Sequence, residues 1–134
     1  MPIVIDGWNF IRNNRSDIDD IDGDAMESAA SLMGYLNDFQ RSHNDPIVVV
    51  FDSKSGHLEL AYQNTPRLKA VAAINADAYI KRYIDKMPER QRRNLRVISS
   101  DNAVYYYAKS AYASPLKSEE FWEKIKMGRA GVRK

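Results

Sequence analysis

Short apolar runs rich in β-branched residues divide the chain into a series of predicted strands. Unbroken runs of this kind are typical of strands that are buried on both faces of a parallel sheet. A further segment, 57–62, alternates like a strand, but we predict a single edge strand in that region, at 68–73. The strands are predicted at residues 3–5, 46–51, 68–73, 95–98 and 112–114.

Between the strands, apolar residues recur with the 3.6-residue period of amphipathic helices. One predicted helix begins at Asp24, which forms a capping box with Glu27, and it fades near His43, whose side chain suits a helix C-terminus. The polar composition of residues 10–23 predicts a loop. The remaining helices are predicted to begin at the caps Asn75, Asp101 and Ser118. Alternating strands and helices predict an α/β fold, a three-layer sandwich with a mostly parallel sheet flanked by helices.

Length and composition limit the possible classes of protein. The 134 residues predict one domain, 1–127, followed by a basic tail, 128–134, that we expect to fray. The absence of cysteine excludes disulfides, zinc–thiolate sites and a thiol nucleophile. Without a membrane-length apolar run or a signal-peptide pattern, we expect a cytoplasmic protein that does not enter membranes. A net charge of +2 is too small to indicate nucleic-acid binding by itself.

Aspartates follow three of the predicted strands. Asp6, Asp52 and Asp101 each come at or just after a strand end, and Asp77 lies in the first turn of a helix. The carboxyl ends of parallel strands meet at one edge of a sheet, where ligands of α/β proteins bind. Asp77 alone is equally well explained by the helix dipole, which stabilises an acid at this position. Together, however, the four carboxylates predict a site at that edge.

Carboxylates this close together need a counter-charge. Two of them about 4 Å apart repel by roughly 4 kcal/mol at an effective dielectric of 20. Oxygen ligands suit Mg²⁺ or Mn²⁺, which can activate water and neutralise charge on a phosphodiester. Asn9 is a candidate for orienting the water or a phosphate oxygen, and weaker supporting candidates are Ser53, Ser99 and Ser100.

Basic residues are concentrated on and after the helix that follows Asn75. They predict a phosphate-facing RNA-binding patch, because guanidinium groups bind phosphates in a bidentate manner. An ordinary solvated helix face remains the alternative for this charge run. The candidate RNA-binding residues are Lys81, Arg82, Lys86, Arg90, Arg92 and Arg93.

Four separated motifs carry a resemblance to a known family. They are Ile-Asp-Gly-Trp-Asn at 5–9, Val-Phe-Asp-Ser at 50–53, Ala-Asp-Ala-Tyr-Ile at 76–80 and Ile-Ser-Ser-Asp-Asn-Ala at 98–103. In this order they resemble the NYN domains, most closely the YacP-like branch of the PIN-like nuclease superfamily. Trp8 stands where that family usually has tyrosine, and the match is poor between Asp52 and Asp77.

The resemblance implies a PIN-like sheet of order 3-2-1-4-5 and a metal-dependent endoribonuclease. It carries over Asp6, Asn9, Asp52, Asp77 and Asp101 as the catalytic residues, with the four aspartates as ligands of Mg²⁺ or Mn²⁺. Some members of the branch are associated with translating ribosomes. RNA is therefore the expected partner, and mRNA on the ribosome is one expected substrate.

Two other functions fit parts of the sequence. A non-catalytic RNA- or ribosome-binding module would use the basic residues, but it would gain nothing from a repulsive acidic cluster facing phosphates. A phosphoacceptor receiver domain would use Asp52 as its acceptor and Lys117 as its lysine. Receivers need paired acids after the first strand and a lysine directly before proline, whereas here Gly7 follows Asp6 and Ser114 precedes Pro115.

Overall fold

A computed structural model describes residues 1–14, 25–58, 60 and 62–131 of the chain. The predicted cap Asp24 and most of the predicted loop at 10–23 lie outside these residues. Among the described residues, no helix is both long enough and apolar enough to cross a membrane.

Five parallel strands form one sheet in the order β3-β2-β1-β4-β5. The structure confirms the predicted strand order and the predicted strand at residues 68–73. The last strand begins at Ser114 instead of Tyr112, so its predicted position is wrong. Pro115 fits this strand because an edge position does not need its missing N–H. The strands are β1 (Ile3–Asp6), β2 (Ile47–Asp52), β3 (Leu68–Ala73), β4 (Arg96–Ile98) and β5 (Ser114–Leu116).

Six helices of the described part of the chain connect and cover these strands. They are α1 (Gly7–Asn13), α2 (Ala25–Phe39), α3 (Ala76–Lys86), α4 (Glu89–Arg92), α5 (Asn102–Ser110) and α6 (Ser118–Gly131). The loop predicted from residue 10 is wrong at its start, because α1 continues to Asn13. The boundary predicted at residue 127 falls within α6.

Two of the predicted helix caps are present in the structure. Asn75 accepts a hydrogen bond from the Ala78 N–H, and Asp101 accepts one from the Ala103 N–H. Ser118 is the first residue of α6 and not its cap, and its hydroxyl donates to Asn9. The Lys117 N–H instead donates to Glu120 at 3.1 Å, which is the backward half of a capping box.

Two apolar cores, one on each face of the sheet, make the fold a three-layer sandwich. Successive residues of a strand point to opposite faces, so Ile5 contributes to the first core and Val4 to the second. The first core includes Phe10 of α1, Leu32 of α2 and Phe121 of α6. The second includes Ile80 of α3 and Val104 of α5. The cores hold the carboxyl ends of the central strands in fixed positions.

Gly7 is required by packing. It is the first residue of α1, and a Cβ there would lie 2.5 Å from Cε1 of the Phe51 ring. Phe51 is itself fully buried and packs edge-on against Trp8, with ring centroids 4.7 Å apart. The glycine lets the start of α1 approach the Phe51 ring of β2 closely.

We expect Gly7→Ala to lower the free energy of unfolding by about 1–3 kcal/mol, because the buried Phe51 ring must move. Urea denaturation measures this loss. Gly34→Ala is the matched control, since a Cβ at position 34 meets nothing within 4 Å. That substitution should stabilise α2 by about 0.5–1 kcal/mol. Equal effects of the two substitutions would contradict the packing explanation.

Candidate active site

The four predicted aspartates lie around one cleft at the carboxyl edge of the sheet. Asp6 ends β1, Asp52 ends β2, Asp77 is the second residue of α3, and Asp101 immediately precedes α5. All four line a cleft of about 660 Å³. The parallel sheet explains this convergence, because β1, β2 and β4 all end at this edge.

Asp6 occupies the centre of this arrangement and is 7% exposed. It precedes α1 but makes no side-chain hydrogen bond to the helix. Instead, the hydroxyl of the fully buried Ser99 lies 3.3 Å from its Oδ2 and donates to it. The Asp6 carboxylate is therefore turned toward the cleft and away from the amides of its own helix.

Asp52 and Asp101 each use one oxygen to start a helix. Oδ1 of Asp52 accepts from the Ala76 N–H at 2.6 Å, and Oδ1 of Asp101 accepts from the Ala103 N–H at 2.8 Å. The second oxygen of each accepts no hydrogen bond from the described residues. These contacts fix the carboxylates while leaving one oxygen of each available for a ligand.

The carboxylates influence one another electrostatically. Burial and the charges of Asp77, Asp52 and Asp101 together raise the pKa of Asp6 to about 6, although the Ser99 hydrogen bond opposes the shift. Burial also raises the pKa of Asp77, as do Asp101 and Asp52, whereas the nearby Lys81 lowers it. A cation in the cleft would relieve this repulsion.

The donor set fits a divalent ion that prefers oxygen ligands. No three His, Cys, Asp or Glu side chains of the described residues form a complete metal-binding group. Mg²⁺ does not require such a group, because it usually keeps several waters and binds one or two carboxylates together with substrate phosphates. The cleft therefore fits a partly hydrated ion that is completed by a phosphate ligand.

Asn9 is buried and lies beside the cleft but not in its lining. Its Oδ1 accepts from the Ser100 N–H at 2.8 Å and from the Ser118 hydroxyl at 3.0 Å, and the Ser99 hydroxyl lies 3.4 Å away. Asn9 thus ties α1 to the end of β4 and to the start of α6, so it positions the site.

The three candidate serines also lie beside the site. Ser99 joins Asp6 to Asn9, and it accepts from the Asp101 N–H at 3.1 Å. Ser100 donates to Glu119 and accepts from the Ser118 N–H, so it supports α6. Ser53 lines the cleft and donates to the His57 carbonyl at 2.5 Å, which closes the loop after β2.

Cations and apolar side chains that the sequence did not single out line the same cleft. Arg12 projects from α1, which was predicted as loop at that point, and Lys54 follows the predicted acid Asp52 by two residues. Trp8 donates from Nε1 to the Asp52 carbonyl at 2.8 Å, and Ile74 is 75% exposed. The cleft therefore offers positive charge and apolar surface beside the acids.

The six predicted RNA-binding residues do not form one surface beside the cleft. Lys81 lies one turn after Asp77, but Lys86 is nine residues after it, about 14 Å along α3. Arg92 is occupied in holding backbone, because it donates to the carbonyls of Met87 and Asp85. Of the others, Arg82 is exposed on α3, and a separate groove is lined by Arg90 and Arg93. The sequence could not show this separation, because it depends on the direction of α3, which runs away from the carboxyl edge of the sheet.

The chain matches the model of the YacP-like NYN domain over residues 3–134. It belongs to that family. No curated protein sequence matches this chain. The crystal structure of Rae1 (YacP) from Bacillus subtilis is similar to it with a TM-score of 0.81 and 16% identity, over 99% of this chain and 78% of that one. A single-substitution variant of Rae1 gives a TM-score of 0.78 and 16% identity, over 99% and 80% of the two chains.

Family membership confirms the resemblance found in the sequence, and the structural similarity to Rae1 confirms the fold. YacP-like NYN domains are nuclease-like, which places this protein among the RNA-cleaving hydrolases. The four aspartates of this NYN domain line one cleft at the carboxyl edge of the sheet.

Proposed function

We propose that this NYN domain is a metal-dependent endoribonuclease that hydrolyses RNA phosphodiester bonds in the acidic cleft. The observation that carries the proposal is the convergence of Asp6, Asp52, Asp77 and Asp101 on one cleft, with the pKa of Asp6 raised to about 6. A cluster of mutually repelling carboxylates is suited to a divalent cation.

The aspartates would hold Mg²⁺ or Mn²⁺ through the oxygens that face the cleft. When bound, such an ion activates water and neutralises the charge that develops on the phosphodiester. Asp6 must be ionised to bind the ion, and with a pKa of about 6 it is half ionised near pH 6 and almost fully ionised by about pH 7. Ser99 and Asn9 keep Asp6 and the loop after β4 in place.

Arg12, Lys54 and Lys81 would attract the RNA. A cleft lined by acids alone would repel phosphates, and these cations at its rim offset that repulsion. Trp8 and Ile74 provide apolar surface on which a base can rest. In this proposal the aspartates bind the metal ion, and the cations and apolar side chains at the rim bind the RNA strand.

The direct test is an incubation of the purified protein with an unstructured RNA labelled at one end. We expect internal cleavage with added Mg²⁺ or Mn²⁺, none in EDTA, and recovery when the metal is restored in excess. Tight RNA binding without cleavage under any of these conditions would contradict the proposal and favour an RNA- or ribosome-binding module.

We extend the proposal to mRNA carried by a translating ribosome, in the cytoplasm, on the strength of the family resemblance alone. The same message, free or engaged by ribosomes in a translation extract, should be cut faster when engaged. Equal cleavage of the two forms would remove the ribosome from the proposal and leave the nuclease activity intact.

A further inference from the structure

A second groove lies at the opposite edge of the sheet. It has a volume of about 890 Å³ and is lined by Pro88, Glu89, Arg90, Arg93 and Tyr112. Its two walls are the turns that precede β4 and β5, so it lies where the strands begin. The length of α3 alone separates it from Asp77 by roughly 15 Å. The groove is therefore distinct from the acidic cleft.

Tyr112 has an unfavourable backbone conformation in this groove. Its φ is +69°, in the left-handed region that tyrosine rarely adopts. It ends α5 in a Schellman motif, in which the Ala113 N–H donates to the Ala108 carbonyl at 2.9 Å and the Tyr112 N–H donates to the Lys109 carbonyl at 3.2 Å. Glycine is the residue usually found at this position.

The strain at Tyr112 is not offset by packing. The residue is 67% exposed, and its side chain makes no hydrogen bond or aromatic contact with any described residue. A strained, solvent-exposed aromatic side chain costs stability, and such outliers concentrate at functional sites. The strained backbone and exposed ring of Tyr112 therefore indicate that this residue binds a ligand.

The groove is held in shape by hydrogen bonds between its two walls. The Ser114 hydroxyl donates to the Arg93 carbonyl at 2.5 Å, and the Ser114 N–H donates to the Leu95 carbonyl at 2.9 Å. Arg92 braces the first wall by donating to the Met87 carbonyl. A preformed groove loses little conformational entropy when a ligand binds.

The charge of this end of the molecule suits a polyanion. The exposed side chains of Arg90 and Arg93 make no ion pair with any described residue. Other cations at this end are Lys86, Arg96 and Lys109, against the acids Asp85 and Glu89. Guanidinium groups beside an exposed aromatic ring are the combination that binds phosphates and stacks on unpaired bases.

We propose that this groove is a second RNA-binding site, which takes a single-stranded segment. Tyr112 stacks on a base, and Arg90 and Arg93 contact the flanking phosphates. The choice of RNA as the ligand rests on the proposed function. A strand must extend about 15–20 Å to reach both sites, which is about five or six stacked nucleotides.

The test compares the binding of a fluorescent, unstructured RNA of twenty nucleotides by fluorescence anisotropy in EDTA. Tyr112→Gly should weaken binding by roughly tenfold, since stacking on one base contributes about 1–3 kcal/mol. The same variant should raise the melting temperature by about 2–4 °C, because the strain is relieved. Tyr106→Ala, at another exposed tyrosine, should leave the affinity unchanged.

The double variant Arg90→Gln/Arg93→Gln should reduce the slope of log Kd against log salt by about 1–2, the signature of lost phosphate contacts. An unchanged Kd for Tyr112→Gly would overturn the proposal. Competition by polyglutamate as strong as that by unlabelled RNA would also overturn it, in favour of an acidic protein. Because binding is measured in EDTA, a wild-type protein that fails to cleave RNA would contradict the proposed nuclease function without affecting this result.

Discussion

Replacing Asp6 or Asp101 with asparagine should slow metal-dependent RNA cleavage by roughly 10²–10³-fold while the protein remains folded. Asparagine has the shape of aspartate but lacks the charge that would hold a divalent ion. At position 101 its amide oxygen can still accept the Ala103 N–H and cap α5. At position 6 no side-chain cap is lost, because Asp6 makes none.

This prediction is checked by initial rates of cleavage at saturating Mn²⁺, with circular dichroism to verify folding. Asp38→Asn is the matched control, since Asp38 lies on α2, away from the cleft, and faces Arg41 at 3.9 Å. That variant should cleave at the wild-type rate. Full activity in both Asp6→Asn and Asp101→Asn would show that the acidic cleft is not the active site.

Asp6 should also make the metal-free protein less stable as the pH rises from about 4 to 6. The pKa of Asp6 is about 6 in the folded protein, whereas an ordinary aspartate has a pKa of 3.8. Between these two pH values the folded state holds the proton more tightly than the unfolded state does. Raising the pH removes that proton, and the charge then costs folding free energy. The difference of about two pKa units corresponds to about 3 kcal/mol.

Urea denaturation in EDTA measures this effect when wild type and Asp6→Asn are compared at several pH values. The variant should match the wild type near pH 4 and exceed its stability by about 2–3 kcal/mol at pH 7–8. Millimolar Mg²⁺ should restore much of the difference to the wild type alone. A stability difference that does not vary with pH would mean that Asp6 carries no such penalty.

The sheet and its acids could be predicted because they follow from local pattern and general topology. Unbroken apolar runs specify buried strands, and parallel strands end at a common edge. The positions of Asp6, Asp52 and Asp101 relative to the strands therefore implied their convergence. The edge strand at 68–73 was harder, since its alanines and single lysine are compatible with a helix.

The features that the sequence did not reveal depend on contacts between distant segments. The strand passes directly into α1, and its N-cap residue Asp6 makes no side-chain hydrogen bond to the helix. Because the sequence predicted a loop from residue 10, Arg12 was not recognised as a residue of the cleft. The hydrogen bonds of Asn9 involve residues up to 109 positions away. The left-handed Tyr112 violates the preference for glycine, so local propensity pointed to a strand instead.

The hydrogen bond between Asn9 and Ser118 makes completion of the cleft depend on the order of synthesis. Asn9 is synthesised 109 residues before Ser118, whose hydroxyl donates to it from the start of α6. A nascent chain that stops before residue 118 has all four aspartates and lacks one of the supports behind them. The support behind the acidic cleft should therefore be complete only after α6 has been synthesised and has docked.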